Sequence, residues 1–535
     1  MSSIITKKLS FHDAEQFKEA FSEANTPTIS YVTIGNHVPY ANESSPDSIV
    51  DTLSAEKAAW DNVFAGKRIT GNDAQLVIPR VNWTANTKYR QFDDTIAMGD
   101  LISSNSTQNL KPMYVITTSR NVYKCVSNNA SANSTVEPTG DYTTSNGNIA
   151  TSDGYIWKYM FNVKPSNKFL TADWAPAPTS ITTLDYGTNT TGVVDGELTT
   201  IVVTANGSNY REASNIRLDG FTSGQTTVRL ANASLTRAIF SIGSLANLAN
   251  LTITGTGIPA DTYISSIANT TGIITLSSAT TGAGGNANNI VIQTRVYIDG
   301  DGTGAVASAV ISNTDVNVTA ANANIAKVTV TTIGTDYSRA NAYIYGSGSG
   351  SQTRVILPPK YGHGYNSAKE LNANNVMIAV RIGEQDSTEN GLISVDTSFR
   401  QVGLLRNPHK YGSLNPVETA NANSVISQTT DLSIVAGLSY TLNEYVYQGA
   451  SSNSATAYGF VNAQSSNEVR LTKVKGTFSA GLALIGATSG VSRTVTTVSN
   501  PEFQPYSGDM LYIENAVKTD RSDGQAENIK LVVRF

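Results

Sequence analysis

The stretch Tyr155-Ile-Trp-Lys-Tyr-Met-Phe161 is the strongest strand signal in this chain of 535 residues. Side chains alternate between the two faces of a strand, so Tyr155, Trp157, Tyr159 and Phe161 would share one face. Large aromatic side chains on a single face need a core to cover them. The stretch therefore predicts a buried strand at the centre of a β domain.

Other strand signals lie on both sides of this stretch. The last one, Asn528–Phe535, alternates apolar and mostly polar residues. Burial of its apolar face would stabilise the fold by at most about 6 to 12 kcal/mol, which is comparable to the net stability of a whole domain. We expect this last strand and the early aromatic strand to belong to one scaffold. Shorter apolar runs predict strands at Leu76–Ile78, Tyr114–Ile116 and Val122–Cys125.

Two segments near the N-terminus predict helices. The first begins at a capping box formed by Ser10 and Asp13 and runs to about Ala24. The second runs from Asp47 to Ala65 and stops at Gly66. The inward-facing residues would be Phe17 and Phe21 in the first helix and Ile49, Leu53, Trp60 and Phe64 in the second. No other substantial helix is predicted.

The composition favours strands throughout the chain. Charged residues make up 15% of the sequence, against about 25% in a typical soluble domain. Ser, Thr, Asn and Ala replace them, and these residues suit strands with polar outer faces better than surface helices. The predicted fold class is mainly β: a multi-domain, β-sandwich-like scaffold with a few N-terminal helices and small inserted β domains.

A shift in composition and an internal repeat identify the inserted domains. After Trp174–Thr179 the sequence becomes rich in Thr, Asn, Gly and Ala. Ile201–Tyr210 then resembles Val328–Tyr337, and each copy predicts a strand, a Gly turn, a core tyrosine and a further strand. The predicted organisation is a scaffold at 1–185, 361–430 and 501–535, interrupted by repeat-bearing modules at 190–358, a nested insertion at 236–294 within them, and a second inserted module at 444–499.

Charge and cysteine content exclude several classes of protein. A formal net charge of -5 on the whole chain is too weak a field to capture nucleic acid or an anionic membrane. Cys125 is the single cysteine, which excludes an internal disulfide and a thiolate cluster, and we interpret it as inert core. No apolar stretch follows Lys7 and Lys8, so no signal peptide is predicted. The weakly charged tracts at 238–260 and 262–294 are interrupted by polar residues and predict no membrane span.

The sequence predicts no catalytic, metal or cofactor site, and we expect the chain not to be an enzyme. Asp299–Gly304 imitates the start of a calcium loop, but the closing acid would fall at Val310, so we interpret it as a tight turn. The sequence does not decide whether the chain has paired carboxylates for glycoside cleavage, because the distance between two carboxylates is a property of the fold. The histidines are scattered without the spacing of a metal site: His12, His37, His363 and His409.

Distinctive motifs lie in the segments of ordinary charge density. The most specific are Asp153–Phe161 and Ser507-Gly-Asp-Met-Leu-Tyr-Ile-Glu-Asn515. The others, in chain order, are Tyr31–Gly35, Trp60, Val77–Trp83 with Lys88-Tyr89, Val122–Cys125, Glu137–Gly140, and Phe399–Gln401 with Asn407-Pro408. In order and rough spacing this set resembles the baseplate wedge subunit of T-even-type contractile-tailed phages, the gene-eight product family. The insertions at 190–358 and 444–499 have no counterpart in the compact members of that family.

The resemblance implies a mainly β structural protein without catalysis or cofactor. It implies a homodimer within each wedge of the baseplate, in contact with other wedge proteins. It places the protein in the virion tail, after assembly in the cytoplasm of the infected bacterial host. The resemblance and the weak charge together predict that the partners are proteins, and they exclude nucleic acid, a membrane and small-molecule substrates.

Two other functions stay open on the residues alone. The Thr-, Asn- and Gly-rich insertions would suit a tail fibre or adhesin that binds a host-surface glycan. A β-rich tail enzyme that cleaves glycans would need paired carboxylates that the sequence does not reveal. Tyr155, Trp157 and Tyr512 are candidate anchors of a protein interface, although we favour a place in the subunit's own core.

Overall fold

The computed structural model describes residues 6–23, 28–179, 192–286, 289–312, 323–383, 397–418, 422, 424–522 and 525–535. The chain divides into two compact units, of which the first is discontinuous. The first unit comprises 1–78 and 373–535, and the second comprises 79–372. Strands predominate over helices in both units, so the predicted mainly β fold class is confirmed.

Strands and helices are numbered in chain order. The first unit begins with β1 Ser30–Gly35, β2 Val63–Arg68 and β3 Ala74–Pro79. The second unit contains β4 Lys88–Tyr89, β5 Leu110–Lys111, β6 Tyr114–Ile116, β7 Asn121–Ser127, β8 Asn148–Ala150, β9 Ile156–Asn162, β10 Trp174–Pro176, β11 Thr200–Ser208, β12 Ala213–Ile216, β13 Thr227–Arg229, β14 Thr252–Thr254, β15 Ile264–Ile267, β16 Ile273–Leu276, β17 Ile290–Gln293, β18 Arg295–Gly300, β19 Thr303–Ile311, β20 Ile325–Thr335, β21 Ala340–Tyr345 and β22 Ser349–Ile356. The first unit resumes with β23 Asn375–Ile382, β24 Thr397–Arg406, β25 Val425–Ser427, β26 Thr430–Ile434, β27 Tyr445–Gly449, β28 Ala455–Gln464, β29 Glu468–Gly476, β30 Ala483–Gly486, β31 Ser492–Ser499, β32 Asp509–Arg521 and β33 Glu527–Arg534. The helices are α1 Lys7–Glu19, α2 Leu53–Asn62, α3 Met98–Leu101, α4 Ala233–Phe240 and α5 Ser367–Glu370, with 3-10 turns at Gly71–Asp73, Ser145–Gly147, Leu245–Leu248 and Ser452–Ser454.

Two sheets of the first unit share one core. The larger is five-stranded in the order β25-β2-β1-β24-β32, and the other places β23 between β3 and β33. Val32 and Phe64 of the larger sheet pack in the same cluster as Ile378 of the other. Ile529 and Leu531 of the last strand are buried there, as their alternation predicts. The first unit is therefore built as a β-sandwich.

A closed barrel interrupts this sandwich between β25 and β32. Its strands follow the order β26-β29-β28-β27-β30-β31. Val469 and Leu471 of β29 are buried in its apolar core. The barrel begins at Thr430, upstream of the predicted module start at 444, because β26 closes it by pairing with both β29 and β31.

The second unit contains an aromatic sheet and two nested modules. The sheet has the order β6-β7-β9-β8, and an outer module is formed by β11 and β18 to β22. A nested module, β12 to β17 with α4, has its own apolar core from Ala213 to Ile292. It therefore starts upstream of the predicted position at 236. The predicted boundary between 185 and 190 lies outside the described residues.

The internal repeat corresponds to two copies of one three-strand pattern. Copy one is β11, β18 and β19, and copy two is β20, β21 and β22. The copies exchange partners, because β11 pairs with β22, β20 with β19, and β18 with β21. The nested module interrupts copy one between Tyr210 and β18, where copy two has only Ser338 and Arg339 after Tyr337.

The helix predictions are wrong in their boundaries. Helix α1 begins at Lys7, ahead of the predicted cap at Ser10, and ends at Glu19. Helix α2 ends at Asn62, and the predicted continuation to Ala65 is strand β2, whose residues pair with β1. Burial and pairing of a β-branched and aromatic segment outweigh weak helix propensity here. Helix α4, within the nested module, has no counterpart in the predictions.

The early aromatic strand and the last strand do not share a unit. Strand β9 belongs to the second unit and β33 to the first. The prediction of one scaffold containing both strands is therefore wrong at the level of compact units. Strand β9 pairs with its sequence neighbours β7 and β8, whereas β33 pairs with β23. Periodicity in a sequence identifies a strand and its buried face, but it does not identify the partner strand.

Candidate functional site

One group of motif residues gathers around the aromatic sheet of the second unit. The carboxylate of Asp153 accepts hydrogen bonds from the backbone N–H groups of Thr135 and Val136, at 2.7 and 3.0 Å. The hydroxyl of Tyr123 donates to the carbonyl of Gly140 at 2.6 Å. The three motif segments that contain Tyr123, Gly140 and Asp153 therefore meet in space. Their side chains close turns and fill the core of this sheet.

A second group of motif residues gathers in the sandwich of the first unit. Gln401 donates through Nε2 to Oδ1 of Asn515 at 3.0 Å, across β24 and β32. Trp60 is buried in the same cluster as Tyr31. The side chain of Asn407 accepts the backbone N–H of Ile29 at 3.0 Å. Each unit thus has its own set of motif residues, and both sets serve the fold.

The candidate aromatic anchors are mostly core residues. Tyr155 and Trp157 are buried, with their rings stacked at 5.4 Å between centroids. Their interpretation as core is confirmed. Tyr512 is partly buried against the sandwich core, and its hydroxyl donates to Glu514 at 2.8 Å.

A buried network of charged side chains lies beside the aromatic sheet. Lys124 on β7 and Lys158 on β9 are direct cross-strand partners, and both side chains are fully buried. Nζ of Lys124 lies 3.0 Å from the carboxylate of Glu370 and 2.9 Å from Nδ1 of His363. Nζ of Lys158 lies 2.8 Å from the carboxylate of Glu197. Each buried ammonium therefore has its own counter-ion, which is the condition for burying such a charge.

The surroundings set the protonation of this network. Burial alone would raise the pKa of Glu370, but the ammonium of Lys124, 3.0 Å from the carboxylate, holds it at about 2. Burial, followed by the charge of Lys124, lowers the pKa of His363, which suits a neutral ring that accepts a hydrogen bond from Lys124. Burial also lowers the pKa of Lys124. The Glu370 carboxylate and the Phe92 ring, 3.9 Å from Nζ, favour its charged form.

The network is closed to solvent, so it holds segments together and offers no surface to a substrate. It joins β7 and β9 to the segment before β11 and to α5. Removing one member of such a buried pair typically costs about 3 to 5 kcal/mol, because the other charge is left unpaired. Strand alternation would assign Lys158 to the face opposite the aromatic side chains. The signal that could have suggested burial is a lysine inside the most apolar strand of the chain.

A second buried polar site joins the barrel to the sandwich in the first unit. His37 contacts Oδ1 of Asn443 through Nδ1 and Oγ1 of Thr472 through Nε2, both at 2.5 Å. Burial lowers the pKa of His37 to about 4, so the ring is neutral at pH 7. Beside it, Arg400 donates to both carboxylate oxygens of Glu43 at 2.9 Å.

Each of two cavities has a single acidic residue among its described lining residues. One, of about 580 Å³ in the second unit, is lined by residues that include Arg90, Lys327 and one acid, Asp93. The other, of about 450 Å³ in the first unit, is lined by residues that include Arg400 and one acid, Asp520. A glycosidase needs two facing carboxyl groups. Neither set of described lining residues supplies them.

The remaining sequence candidates occupy structural positions. Within Asp299–Gly304, only Asp301 and Gly302 connect β18 to β19, which confirms the interpretation of this segment as a tight turn. Cys125 is buried and burial raises its thiol pKa, as expected for inert core. His12 is exposed on α1, and His409 is half-buried. Within the described ranges, no three His, Cys, Asp or Glu side chains are placed to hold a metal ion. In the same ranges, no helix is both long and apolar enough to cross a membrane.

Exposed apolar side chains mark candidate contact surfaces of the first unit. Leu414 is 91% exposed and Leu438 is 77% exposed, each on a loop. Among the described residues, β32 is an edge of the five-stranded sheet and exposes Leu511 and Val517. A long edge strand with apolar side chains is a template for pairing with another chain.

Comparison with models of known protein families gives no match for this chain, and no curated protein sequence matches it at a significant level.

Proposed function

We propose that this chain is a structural subunit of the baseplate wedge of a contractile phage tail. On this proposal it joins itself, as a homodimer, and other wedge proteins through protein–protein interfaces. It acts without catalysis or cofactor in the virion tail, after assembly in the cytoplasm of the infected bacterium. The observation that carries the proposal is the ordered set of motifs, above all Asp153–Phe161 and Ser507–Asn515.

The motifs that carry the proposal lie in two compact units and not in the single scaffold that the sequence predicts. The Asp153 group lies within the second unit, and the Ser507 group lies within the first. Because both groups serve packing and turns, the resemblance predicts that wedge subunits share the folds of both units. The insertions then add modules to that shared framework.

The surface of the first unit also supports an assembly role. Obligate protein interfaces often bury more than about 2,000 Å² and centre on apolar groups. Leu414 and Leu438 are exposed on loops, and β32 exposes Leu511 and Val517 along an edge. Burial of such side chains in an interface is favourable, because it removes their apolar surface from water.

The proposal is tested by co-expressing the full chain with the other wedge proteins and sizing the complexes. We expect a stable complex that contains two copies of this chain. Leu414→Asp and Leu438→Asp should weaken the complex, since each places a charge on an exposed apolar site. Leu235→Asp is the matched control, because Leu235 is 56% exposed on the nested module.

Failure of the full chain to form a complex would contradict the proposal. Equal assembly by all three variants, each still folded, would instead exclude the two leucine loops as interfaces. Release of reducing sugar from bacterial envelope material, abolished by one Asp or Glu substitution, would replace the proposal with an enzymatic one.

A further inference from the structure

An aromatic surface lies at the centre of the internal repeat. Strands β18 and β21 pair so that Tyr297 faces Tyr343. Alternate side chains of each strand point to one side, and Val296 and Ala342 between them are buried in the module core. The opposite face, termed the aromatic patch, consists of Arg295, Tyr297, Asp299, Asn341, Tyr343 and Tyr345.

The rings of the patch are open to solvent and arranged by the repeat. Tyr297 is 39% exposed and Tyr343 is 48% exposed. Their rings lie 6.4 Å apart at an angle of 24°, and Tyr345 lies 6.3 Å from Tyr297. Tyr297 of copy one and Tyr343 of copy two occupy equivalent positions before the Gly turns. The local twofold relation of the copies therefore places two equivalent rings side by side.

Polar side chains with planar groups border these rings. The guanidinium carbon of Arg295 lies 3.7 Å from the ring centroid of Tyr263 and 5.4 Å from that of Tyr297. Stacking of this kind fixes the guanidinium plane and leaves its N–H groups available at the edge. Asp299 and Asn341 form the cross-strand pair at the other end of the patch. Arg295 and Asp299 carry opposite charges, so the patch has no net charge.

This combination limits the class of ligand. A nucleic acid would require a positive surface, and the patch is balanced. Protein interfaces are also rich in Tyr and Arg, but their fully buried centres are depleted of charged residues, whereas Arg295 and Asp299 put two charges on this patch. A sugar ring presents a C–H face that stacks on an aromatic ring and hydroxyl groups that both donate and accept hydrogen bonds. Arg295, Asp299 and Asn341 supply matching donors and acceptors.

We propose that the aromatic patch binds a neutral oligosaccharide. Tyr297, Tyr343 and Tyr345 stack against the C–H faces of successive sugar rings. Arg295 donates hydrogen bonds to ring hydroxyls, Asp299 accepts them, and Asn341 does both. This binding site is independent of the proposed assembly role, because it lies on the outer module of the second unit and uses none of the leucines of the first.

The test measures, by NMR or calorimetry, whether the full chain binds defined hexasaccharides. The neutral probes are maltohexaose, cellohexaose and chitohexaose, together with neutral bacterial O-antigen fragments, and the acidic probes are oligogalacturonate and oligoalginate. We expect at least one neutral probe to bind at about 10 mM or below. Tyr343→Ala should weaken binding about tenfold, because one stacking ring is lost. Tyr343→Phe should retain it.

Tyr365→Ala is the matched control. Tyr365 is 45% exposed and its ring lies 4.7 Å from that of a second tyrosine, Tyr361, but it lies outside the patch. It should leave binding unchanged, and thermal unfolding of every variant checks that the module is still folded. Asp299→Asn and Asn341→Ala provide second variants that leave the rings in place and should each weaken binding.

Several results would overturn the inference. Absence of binding to every neutral probe would exclude the ligand class, and so would binding confined to the acidic probes. Binding that survives Tyr343→Ala and Tyr297→Ala together would exclude the location. A dimer of the full chain that dissociates on Tyr343→Ala would show that a second copy covers the patch instead. The results with the sugar probes do not bear on complex formation with wedge proteins, which has its own assay.

Discussion

Copies one and two of the outer module differ chiefly in the segment after their core tyrosine. Tyr210 in copy one and Tyr337 in copy two are both buried, and a glycine with φ of 63° precedes each by three residues, at Gly207 and Gly334. Copy one then continues into the nested module, whereas copy two continues directly into its next strand. The close match of the two tyrosine sites shows that an inserted domain need not alter the packing of its host.

The point of insertion explains why the host fold tolerates it. The carboxylate of Glu212 lies 3.3 Å from the backbone nitrogen of Thr294, so the two ends of the nested module are adjacent. The connection is also capped in both copies. Asp301 accepts the backbone N–H groups of Ser338 and Arg339 in copy two, and Ser347 accepts that of Arg211 in copy one. Domains are inserted most readily at exposed connections whose ends lie close together.

Loss of the core tyrosines should lower the stability of the outer module more than any of the other changes proposed below. Tyr210→Ala and Tyr337→Ala should each lower the local free energy of unfolding by about 3 to 5 kcal/mol, as for other large aromatic truncations. The loss should be greater at Tyr210, which is more buried and whose hydroxyl contacts Ser351 at 2.5 Å. Native-state hydrogen exchange of the full chain measures both losses in β11 and β20. A smaller loss at Tyr210 would indicate that the nested module strains copy one.

The two glycines should show a smaller and more equal effect. An added Cβ would lie 2.6 Å from the Ser349 carbonyl oxygen at Gly207 and 2.6 Å from the Thr303 carbonyl oxygen at Gly334. Gly207→Ala and Gly334→Ala should therefore each destabilise the module by about 1 to 3 kcal/mol. Gly224→Ala is the control, because Gly224 has φ of 84° but open space around it. If Gly224→Ala destabilises the protein as much as the other two substitutions do, the whole loss of stability comes from the left-handed backbone and none from the close contacts.

Removing the Asp301 carboxylate, which caps the connection of copy two, should change amide exchange only near that connection. Hydrogen bonds from Ser338 and Arg339 lower the pKa of Asp301 below the usual range for an aspartate. The cap is therefore fully present above the usual aspartate pKa and is lost only as pH falls through the lowered value. Asp301→Ala should accelerate amide exchange at Ser338 and Arg339 at pH 7, with little change in β11. Unchanged exchange at these two amides would show that the carboxylate does not hold the connection.

Deletion of the nested module should have the smallest effect on its host. Removing residues 213–293 joins Glu212 to Thr294 and gives Tyr210 and Tyr297 the same spacing along the chain as Tyr337 and Tyr343. Since the joined ends already lie together, the local stability of β11 and β20 should change by less than about 1 kcal/mol. Hydrogen exchange of the deleted protein measures this change. Loss of protection across β11 and β22 would show that the nested module is needed to complete copy one.

The same comparison shows how far the sequence could predict the fold. The repeat is visible because both copies need a tyrosine three residues after a glycine, which is a local requirement. The exchange of strands between the copies is not visible, because partner choice depends on long-range pairing. The nested module and the barrel both begin upstream of their predicted starts at 236 and 444, since their first strands have ordinary composition and reveal their role only by pairing.

Candidate sites were less predictable than strands. Lys124 and Lys158 sit in strands whose periodicity identifies the aromatic face, but their burial depends on acids at 197 and 370. No pattern in the local sequence identifies Glu197 and Glu370 as the partners of these lysines. The aromatic patch was missed for a related reason. Tyr297 and Tyr343 are distant in sequence, and only the pairing of β18 with β21 brings them together. The short strands around them give no signal for which face is exposed.

The paired lysines also constrain the order of events during synthesis. The ribosome delivers β7 and β9 well before it delivers Glu197, and Glu370 emerges last. Until both acids have left the exit tunnel, burial of the two ammonium groups is strongly unfavourable. The side of the aromatic sheet that carries both lysines is therefore completed only after Glu370 has been synthesised.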